Sequence, residues 1–323
     1  MNELYSFVLP AYKASYLNEA IESILCQTYD NFELIIVNDN SPEDLDSIVK
    51  RFDDSRIRYY KNKENIGKRD LIKQWNHCIT YAVGKYLILA SDDDIYSPDY
   101  LMEMNSLVMK YPDVNVYRSR VQHVNAEGDI IFIEGVVDEY MSYYALLYSW
   151  IYGIIGSGVA FYVFNKDALV KNGGFVNYQL GWFSDDATVF KLAKEGIVST
   201  SKILFSFRSS GENISSRLNS KKMLEMKIDA TTSFYQDICD SLIGKDVKIP
   251  IELYYYNSIK EKLPYFIECN KLYGQFFHAS VGTIIQLLPK IYFLDYVKTI
   301  RLIKYIIYCS FKRLKYQYKR IIR

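Results

Sequence analysis

Three adjacent carboxylates, Asp92, Asp93 and Asp94, follow Ser91 directly after the apolar run KYLILA. Carboxylates this close repel one another, and at a strand end an external cation offsets the repulsion. A hard divalent ion, Mg2+ or Mn2+, suits oxygen ligands of this kind and commonly binds through one or two carboxylates together with a substrate's phosphates. The structural alternative is that Asp94 or Asp99 caps a helix beginning near Pro98 and the other acids are solvated. A second pair, Asp185 and Asp186, lies in GWFSDDATVF beside Trp182 and Phe183. Apolar neighbours can raise a carboxylate pKa toward the range of a general base, and an aromatic ring can pack on a sugar. Acids that open a helix behind a Ser184 cap are the bland counterpart. Asp39 ends FELIIVND, where a carboxylate either accepts hydrogen bonds from the base or ribose of a nucleotide or makes an Asx turn before Pro42.

These residues need elements to aim them. LYSFVLPAY reads as a buried strand stopped by Pro10, YLNEAIESILCQTY as a helix with Leu17, Ile21, Ile24 and Leu25 on one face, and FELIIVND as a second strand. PEDLDSIVKRF, IRYYKN, KRDLIKQWNHCITYAV and KYLILA continue the alternation, which predicts a parallel sheet flanked by helices. Function in such sheets lies at the carboxyl ends of the strands, where Pro10-Ala11-Tyr12, Asp39 and the acidic run all fall. Farther on, a hairpin turning near Glu127-Gly128 is expected, then a turn at Gly173-Gly174 and a short helix over SDDATVFKLAKEG. From about Lys221 the chain reads as helix, broken at Pro250, Pro264 and Pro289.

Several chemistries find no support. There is no G-x-x-x-x-G-K-[ST] and no G-x-G-x-x-G, so P-loop and dinucleotide-binding readings lapse. Cys26, Cys78, Cys239, Cys269 and Cys309 are scattered and form no C-x-x-C pair, which fits a reducing cytosol. His77, His123 and His278 have no ligand spacing. No signal peptide is apparent at the N-terminus. Most of the 31 tyrosines are expected to be core and surface filling.

The order of the segments resembles the family 2 glycosyltransferases, inverting enzymes of the GT-A fold. The resemblance runs over residues 4 to 216 through FVLPAYKASYLNEAIESILCQTYDNFELIIVNDNS, NIGKRDLIKQWNHCITYAVGKYLILASDDDIY, GGF, WFSDDATVFKLA and FRSSGENIS. It implies that Pro10, Ala11 and Tyr12 line a nucleotide pocket, that Asp39 contacts the base, and that Asn65 and Lys68 lie near base and ribose. SDDD looks like the family's Asp-x-Asp motif, with Ser91 where a first acid often stands. Asp92 and Asp94 are then the metal pair, and Asp93 lies close to ribose or metal. Asp185 resembles the catalytic base, with Asp186 as a possible substitute because Ser184 replaces the usual neighbouring acid. Arg208 matches a family Arg, and Trp182 and Arg208 are candidate acceptor or phosphate contacts.

The implied architecture is a GT-A catalytic domain over 1–218 and a helical C-terminal region over 219–323. The implied reaction transfers a sugar from a nucleotide-sugar, of the UDP class, to a glycan or lipid-linked acceptor of surface polysaccharide synthesis, with Mg2+ or Mn2+ as cofactor. A metal-dependent nucleotidyltransferase would need a Gly-rich basic loop after the first strand, where this chain has PAYKAS. A non-catalytic scaffold would not need both acidic clusters. Residues 290–323 hold ten Lys or Arg against Asp295 alone, an excess of +9 in a chain of net charge +1. Their spacing makes a basic amphipathic helix, suited to the headgroups of an anionic membrane and too charged to span it. A peripheral location on the inner face of the cytoplasmic membrane is therefore expected, and no nucleic-acid partner; a helix packed on the catalytic domain is the alternative.

Overall fold

The computed structural model describes residues 3–210, 220–267 and 281–287. It begins with strand β1 (Tyr5–Ala11), helix α1 (Leu17–Leu25), strand β2 (Phe32–Asn38), helix α2 (Leu45–Val49), strand β3 (Ile57–Lys61), helix α3 (Leu71–Cys78) and strand β4 (Tyr86–Leu89). Helix α1 buries Leu17, Ala20, Ile21 and Ile24, the i, i+3, i+4, i+7 stripe of an amphipathic helix. Strand β2 is buried at every position and β1 at all but Pro10, as continuous apolar runs require. The chain continues through β5 (Ile95–Tyr96), α4 (Tyr100–Lys110), β6 (Val116–Val124), β7 (Ile130–Ile133), β8 (Tyr140–Met141), α5 (Tyr143–Ile151), β9 (Tyr162–Asn165), α6 (Lys166–Lys171), α7 (Ser184–Leu192) and β10 (Ile197–Arg208).

The strands form one sheet in the order β3-β2-β1-β4-β9-β6-β10-β5, with β7 on β6 and β8 on β10. The first four are parallel, as are β6 and β10. Strand β9 lies antiparallel between β4 and β6, so the sheet is mostly parallel, as expected from the sequence. From β1 the chain passes to β2 on one side and later to β4 on the other. The strand order therefore reverses at the carboxyl ends of β1 and β4, the place where α/β sheets bind ligands. Tyr5, Tyr86, Tyr96, Tyr100, Tyr117 and Tyr162 are fully buried and fill the core beneath it. Two of them meet carbonyls there: Tyr96 donates to Ala160 O at 3.1 Å and Tyr117 to Tyr111 O at 2.6 Å.

The chain divides into two compact units. The first comprises the described residues through 177 and from 184 to 210. The second comprises the loop Tyr178–Phe183 with α8 (Lys221–Leu242), α9 (Pro250–Phe266) and α10 (Val281–Leu287). Pro250 opens α9, where its missing N–H costs nothing. Pro264 does not break the helix as expected from the sequence. It sits within the final turn, where only one terminal hydrogen bond is forfeited. His278, Pro289 and the basic stretch 290–323 lie outside the described residues. Among the described residues no helix is long and apolar enough to cross a membrane.

Candidate active site

The acidic run is tied to the other strand ends by residues far away in sequence. Asp92 Oδ2 accepts the backbone N–H groups of Tyr12 at 2.9 Å and Lys13 at 2.8 Å, which fixes the loop after β1 against the end of β4. Lys13 Nζ reaches Asp93 Oδ2 at 2.8 Å and Asp92 Oδ1 at 3.4 Å. Ser91 Oγ donates to Asp93 Oδ1 at 2.5 Å, so the residue in place of the family's first acid orients the next one. Asp94 Oδ1 accepts Arg208 N at 2.9 Å. It does not cap α4, and Asp99, which stands at the cap position, makes no capping bond either and accepts from Thr28 Oγ1 instead. The capping alternative for the acidic run is thereby set aside.

Arg208 is 2% exposed, and its guanidinium is bonded within the protein. Nε donates to Asp93 O at 3.0 Å, Nη1 to Ala126 O at 2.9 Å and Nη2 to Glu19 Oε2 at 2.6 Å, with the Tyr16 ring 4.3 Å away. These bonds give Arg208 a scaffolding role in the protein. Arg208 joins α1, the β6–β7 hairpin and the acidic run.

Asp39 is also engaged. Its Oδ1 accepts Asn62 Nδ2 at 2.7 Å and Ile66 N at 2.9 Å, and its Oδ2 accepts Gly67 N at 2.7 Å. A Cβ on Gly67 would stand 2.9 Å from Asp39 Oδ2, so the loop can approach the carboxylate this closely only with glycine there. Asn65 Oδ1 accepts Lys68 N at 2.7 Å and closes the next turn. Three of the four carboxylate acceptor sites on Asp39 thus hold the 62–68 loop, and its backbone N–H donates to Ala11 O at 3.0 Å. Asp39 is chiefly the organiser of a loop whose edge presents exposed Lys68.

Asp185 and Asp186 stand in the first turn of α7, with Asp185 half-buried and Asp186 buried. Asp186 N donates to Asp185 Oδ1 at 3.0 Å. Thr188 Oγ1 donates to Ser184 O at 2.6 Å and accepts Val176 N at 2.9 Å, pinning α7 to the segment after Gly173-Gly174. That segment is in turn held by Asn76, which accepts Phe175 N at 2.8 Å and donates to Phe175 O at 3.1 Å. Gly174 has φ +79° and no room for a Cβ, which would lie 2.3 Å from Asn76 Oδ1. Trp182 packs in the second unit, with Lys227 Nζ 4.2 Å over its ring.

The charges decide what the acidic run can hold. Three adjacent carboxylates lie beside one ammonium, that of Lys13, which pairs with Asp92 and Asp93, so an outside cation would compete with the proton that burial favours on Asp94. Burial lowers the Lys13 pKa, but Asp92 and Asp93 outweigh it and the net shift is upward. Burial raises Asp92 against the opposing pull of Lys13 and the two backbone N–H groups. Burial, then the nearby Asp93 charge, pushes Asp94 well above the usual carboxylate range. An oxygen-only donor set of adjacent carboxylates fits Mg2+ or Mn2+. Among the described residues no three His, Cys, Asp or Glu side chains make a complete cage, so an ion here would take its other ligands from phosphate and water.

The sign of the Asp94 shift gives a prediction for the metal-free protein. The folded state keeps a proton that the unfolded chain has already lost, so stability is greatest below the ordinary carboxylate range. It falls as pH rises toward the raised folded value. Asp94→Asn removes that penalty and still accepts from Arg208 N. We expect its apo Tm at pH 7 to exceed wild type by a few degrees, about 1 kcal/mol at about 2–4 °C per kcal/mol. A Tm at or below wild type would show that Asp94 carries no net unfavourable charge.

Lys13, Glu19, Asn62 and Gln74 are site residues that sequence reading passed over. Lys13 had a signal, a cation directly after the Pro-Ala-Tyr strand end. Gln74, which accepts from Asn62 Nδ2 at 3.0 Å, and Glu19 had none, since each lies in an ordinary amphipathic helix.

The family model described as Glycosyl transferase family 2 matches residues 6–172. Protein CgeD of Bacillus subtilis is 32% identical over 139 residues, 41% of this chain and 33% of that protein, so the chain spans about a third of that relative's length. S. aureus TarS 1-349, solved in complex with UDP-GlcNAc, matches with TM-score 0.64 at 16% identity, covering 88% of this chain and 78% of that one. The mannosyltransferase PcManGT from Pyrobaculum calidifontis, solved with GDP-Man and Mn2+, matches with TM-score 0.50 at 16% identity over 97% and 87%. At such identities the likeness is one of fold, the GT-A arrangement of a mostly parallel sheet with flanking helices and a helical C-terminal region.

Proposed function

This chain belongs to glycosyl transferase family 2, and from that premise we propose that it is an inverting, metal-dependent transferase. It moves a sugar from a UDP-sugar to a hydroxyl of a glycan or lipid-linked acceptor in surface polysaccharide synthesis. The observation that carries this reading is the Asp92–Asp94 run. It is a buried cluster of adjacent carboxylates at the strand end where the strand order reverses, bonded to the backbone of Tyr12 and Lys13 and to the Lys13 ammonium.

Pro10, Ala11 and Tyr12 form one wall of the nucleotide pocket. Asp39 supports it by holding the loop of Asn65 and Lys68 in a fixed shape. Asp92 and Asp94 would hold a divalent ion, which when bound would supply positive charge against the departing diphosphate. Arg208 keeps Asp93 and Asp94 in place from behind. Asp185 takes the proton of the attacking hydroxyl, and direct displacement at the anomeric carbon inverts the configuration. Asp186, whose own N–H donates to Asp185, is the alternative base. TarS and PcManGT support the donor class, being solved with UDP-GlcNAc and with GDP-Man and Mn2+ respectively.

Calorimetric titration with UDP, with and without Mn2+, tests the reading. We expect Mn2+-dependent binding that weakens by more than about tenfold, 1.4 kcal/mol, in Asp94→Ala. Asp92→Ala should lose as much or more, because it also frees the Tyr12–Lys13 loop. Preference for a nucleoside triphosphate over UDP would replace the transferase with a nucleotidyltransferase, and binding of GDP alone would change the donor class. The basic stretch 290–323 is proposed to hold the chain on an anionic membrane surface, at about 1 kcal/mol per basic residue near the headgroups. Failure to sediment with anionic vesicles at low salt would remove that part.

A further inference from the structure

Each acid of the run has one carboxylate oxygen committed to the protein. Asp92 Oδ2 accepts Tyr12 N and Lys13 N, Asp93 Oδ1 accepts Ser91 Oγ, and Asp94 Oδ1 accepts Arg208 N. The second oxygens of two of them share a single ammonium: Lys13 Nζ lies 2.8 Å from Asp93 Oδ2 and 3.4 Å from Asp92 Oδ1. Among the described residues, both ion pairs of the run are made by Lys13. Arg208 meets the run through backbone atoms instead, its own N–H on Asp94 and its guanidinium on the Asp93 carbonyl.

The backbone under Lys13 is fixed on both sides. Asp92 holds Tyr12 N and Lys13 N, Ser41 Oγ donates to Tyr12 O at 2.6 Å, and Ala14 N donates to Glu43 Oε2 at 2.6 Å. The side chain has more freedom. It is 24% exposed, against 7% and 4% for the carboxylates it pairs with, and its ammonium rides on a flexible four-carbon stem. Lys13, the residues that anchor it and the acids all belong to the first compact unit.

The ammonium stands where a metal ion would compete with it. With Asp92 Oδ2 committed to two N–H groups, Oδ1 is the Asp92 atom open to an outside cation. A divalent ion about 2.1 Å from that oxygen would lie within about 5.5 Å of Lys13 Nζ. Like charges that close in a buried site repel, so entry of the ion and departure of the ammonium go together. A diphosphate arriving with the ion offers the ammonium new acceptors, and lysine binds phosphate as a mobile point charge with three donors.

We propose that Lys13 is the resident counter-ion of the acidic run: it holds Asp92 and Asp93 until a divalent cation and a nucleoside diphosphate arrive together, then transfers from the carboxylates to the diphosphate. The chain then binds the cation weakly by itself and tightly with the nucleotide, and by linkage the cation raises nucleotide affinity by the same factor. This rests on the proposed donor site, and metal-only binding separates the two ideas.

The test titrates the full chain with Mn2+ alone, with UDP alone and with UDP in excess Mn2+, by calorimetry and by the electron paramagnetic resonance of free Mn2+. Wild type is compared with Lys13→Met, Lys13→Arg, Lys13→Met with Asp94→Ala, and Lys85→Met. Lys85, paired with Glu3 at 2.8 Å at the opposite end of β4, controls for the loss of one positive charge. Lys13→Met is expected to bind Mn2+ alone at least about tenfold more tightly than wild type and to leave metal-free UDP binding within about threefold. The factor by which Mn2+ strengthens UDP binding should fall at least about tenfold. Lys13→Arg keeps the charge and can hold both carboxylates, so its affinity for Mn2+ alone should stay within about threefold of wild type. Asp94→Ala in the Lys13→Met chain should abolish the gain, and Lys85→Met should show none. Should Lys13→Met fail to fold, Lys13→Gln takes the same readouts.

Unchanged affinity for Mn2+ alone in a folded Lys13→Met or Lys13→Gln overturns the proposal. So does a gain that survives Asp94→Ala or appears equally in Lys85→Met, which would place the ion elsewhere on the surface. Equal weakening of UDP binding with and without Mn2+ overturns it too, because Lys13 would then be a permanent phosphate ligand. Tight Mn2+ binding by Lys13→Met in a chain that binds UDP under neither condition would sink the donor site and the transfer to diphosphate, and leave the counter-ion standing.

Discussion

Asp185→Asn is expected to lower turnover by about 10² to 10⁴ while UDP and Mn2+ binding stay within about threefold of wild type. The asparagine keeps the shape of the side chain and an oxygen to accept Asp186 N, so the first turn of α7 survives the change. What it cannot do is take a proton from an attacking hydroxyl. Donor binding is assigned to other elements: the Tyr12–Lys13 loop, the 62–68 loop on Asp39, and the acidic run held by Arg208. Separation of turnover from binding is therefore the signature of a base, and single-turnover measurement of UDP release reads it directly. Near wild-type turnover in Asp185→Asn, with loss in Asp186→Asn, would move the base one residue along the helix. Near wild-type turnover in both would take the base away from α7.

Arg118→Met is expected to cost about 3–5 kcal/mol of stability, a fall in Tm of roughly 6–20 °C. Arg118 and Glu134 are 0% and 1% exposed, and Arg118 Nη2 lies 2.5 Å from Glu134 Oε2. The glutamate also accepts Gly156 N at 2.5 Å and Val121 N at 3.3 Å, while Arg120 Nε donates to its backbone carbonyl at 2.7 Å. One carboxylate thus joins β6, the residues after β7 and the glycine-rich turn at Gly156. Removing the arginine leaves a buried charge with only backbone donors, which is the costly outcome. Arg118→Met combined with Glu134→Gln removes the charge as well and should recover most of the loss, measured as a double-mutant cycle by chemical denaturation. A single variant within about 1 kcal/mol of wild type would mean that the backbone donors alone satisfy the Glu134 side chain.

Neither of these residues drew attention in the sequence, although both lie in a hairpin whose turn was legible. A lone Arg in VYRSRVQHV and a lone Glu after IIFI resemble the charged residues of any half-solvated strand. Their burial follows from β6 lying inside the sheet between β9 and β10, and strand neighbours so far apart in sequence are not written into local periodicity. Pro264 shows the same limit at a smaller scale. The residue type marks a place where a helix is weakened, and only the packing of α9 decides whether it ends there.

Sequence alone determined the family, the alternating elements through β4, the placing of Tyr12, Asp39 and Asp92–Asp94 at strand ends, and the short helix opened by Asp185 and Asp186. All of these are local: apolar runs make strands, one-sided stripes make helices, and acids collect where the chain leaves the sheet. Tertiary structure decided what each site residue does. It turned Arg208 inward onto Glu19, 189 positions away, set Lys13 on acids 80 positions away, and committed most of Asp39 to its own loop. It also packed Trp182 and Phe183 against α8. Hydrogen-bond partners and charge balance depend on which distant backbone groups the fold brings within 3 Å, and spacing along the chain carries no record of that.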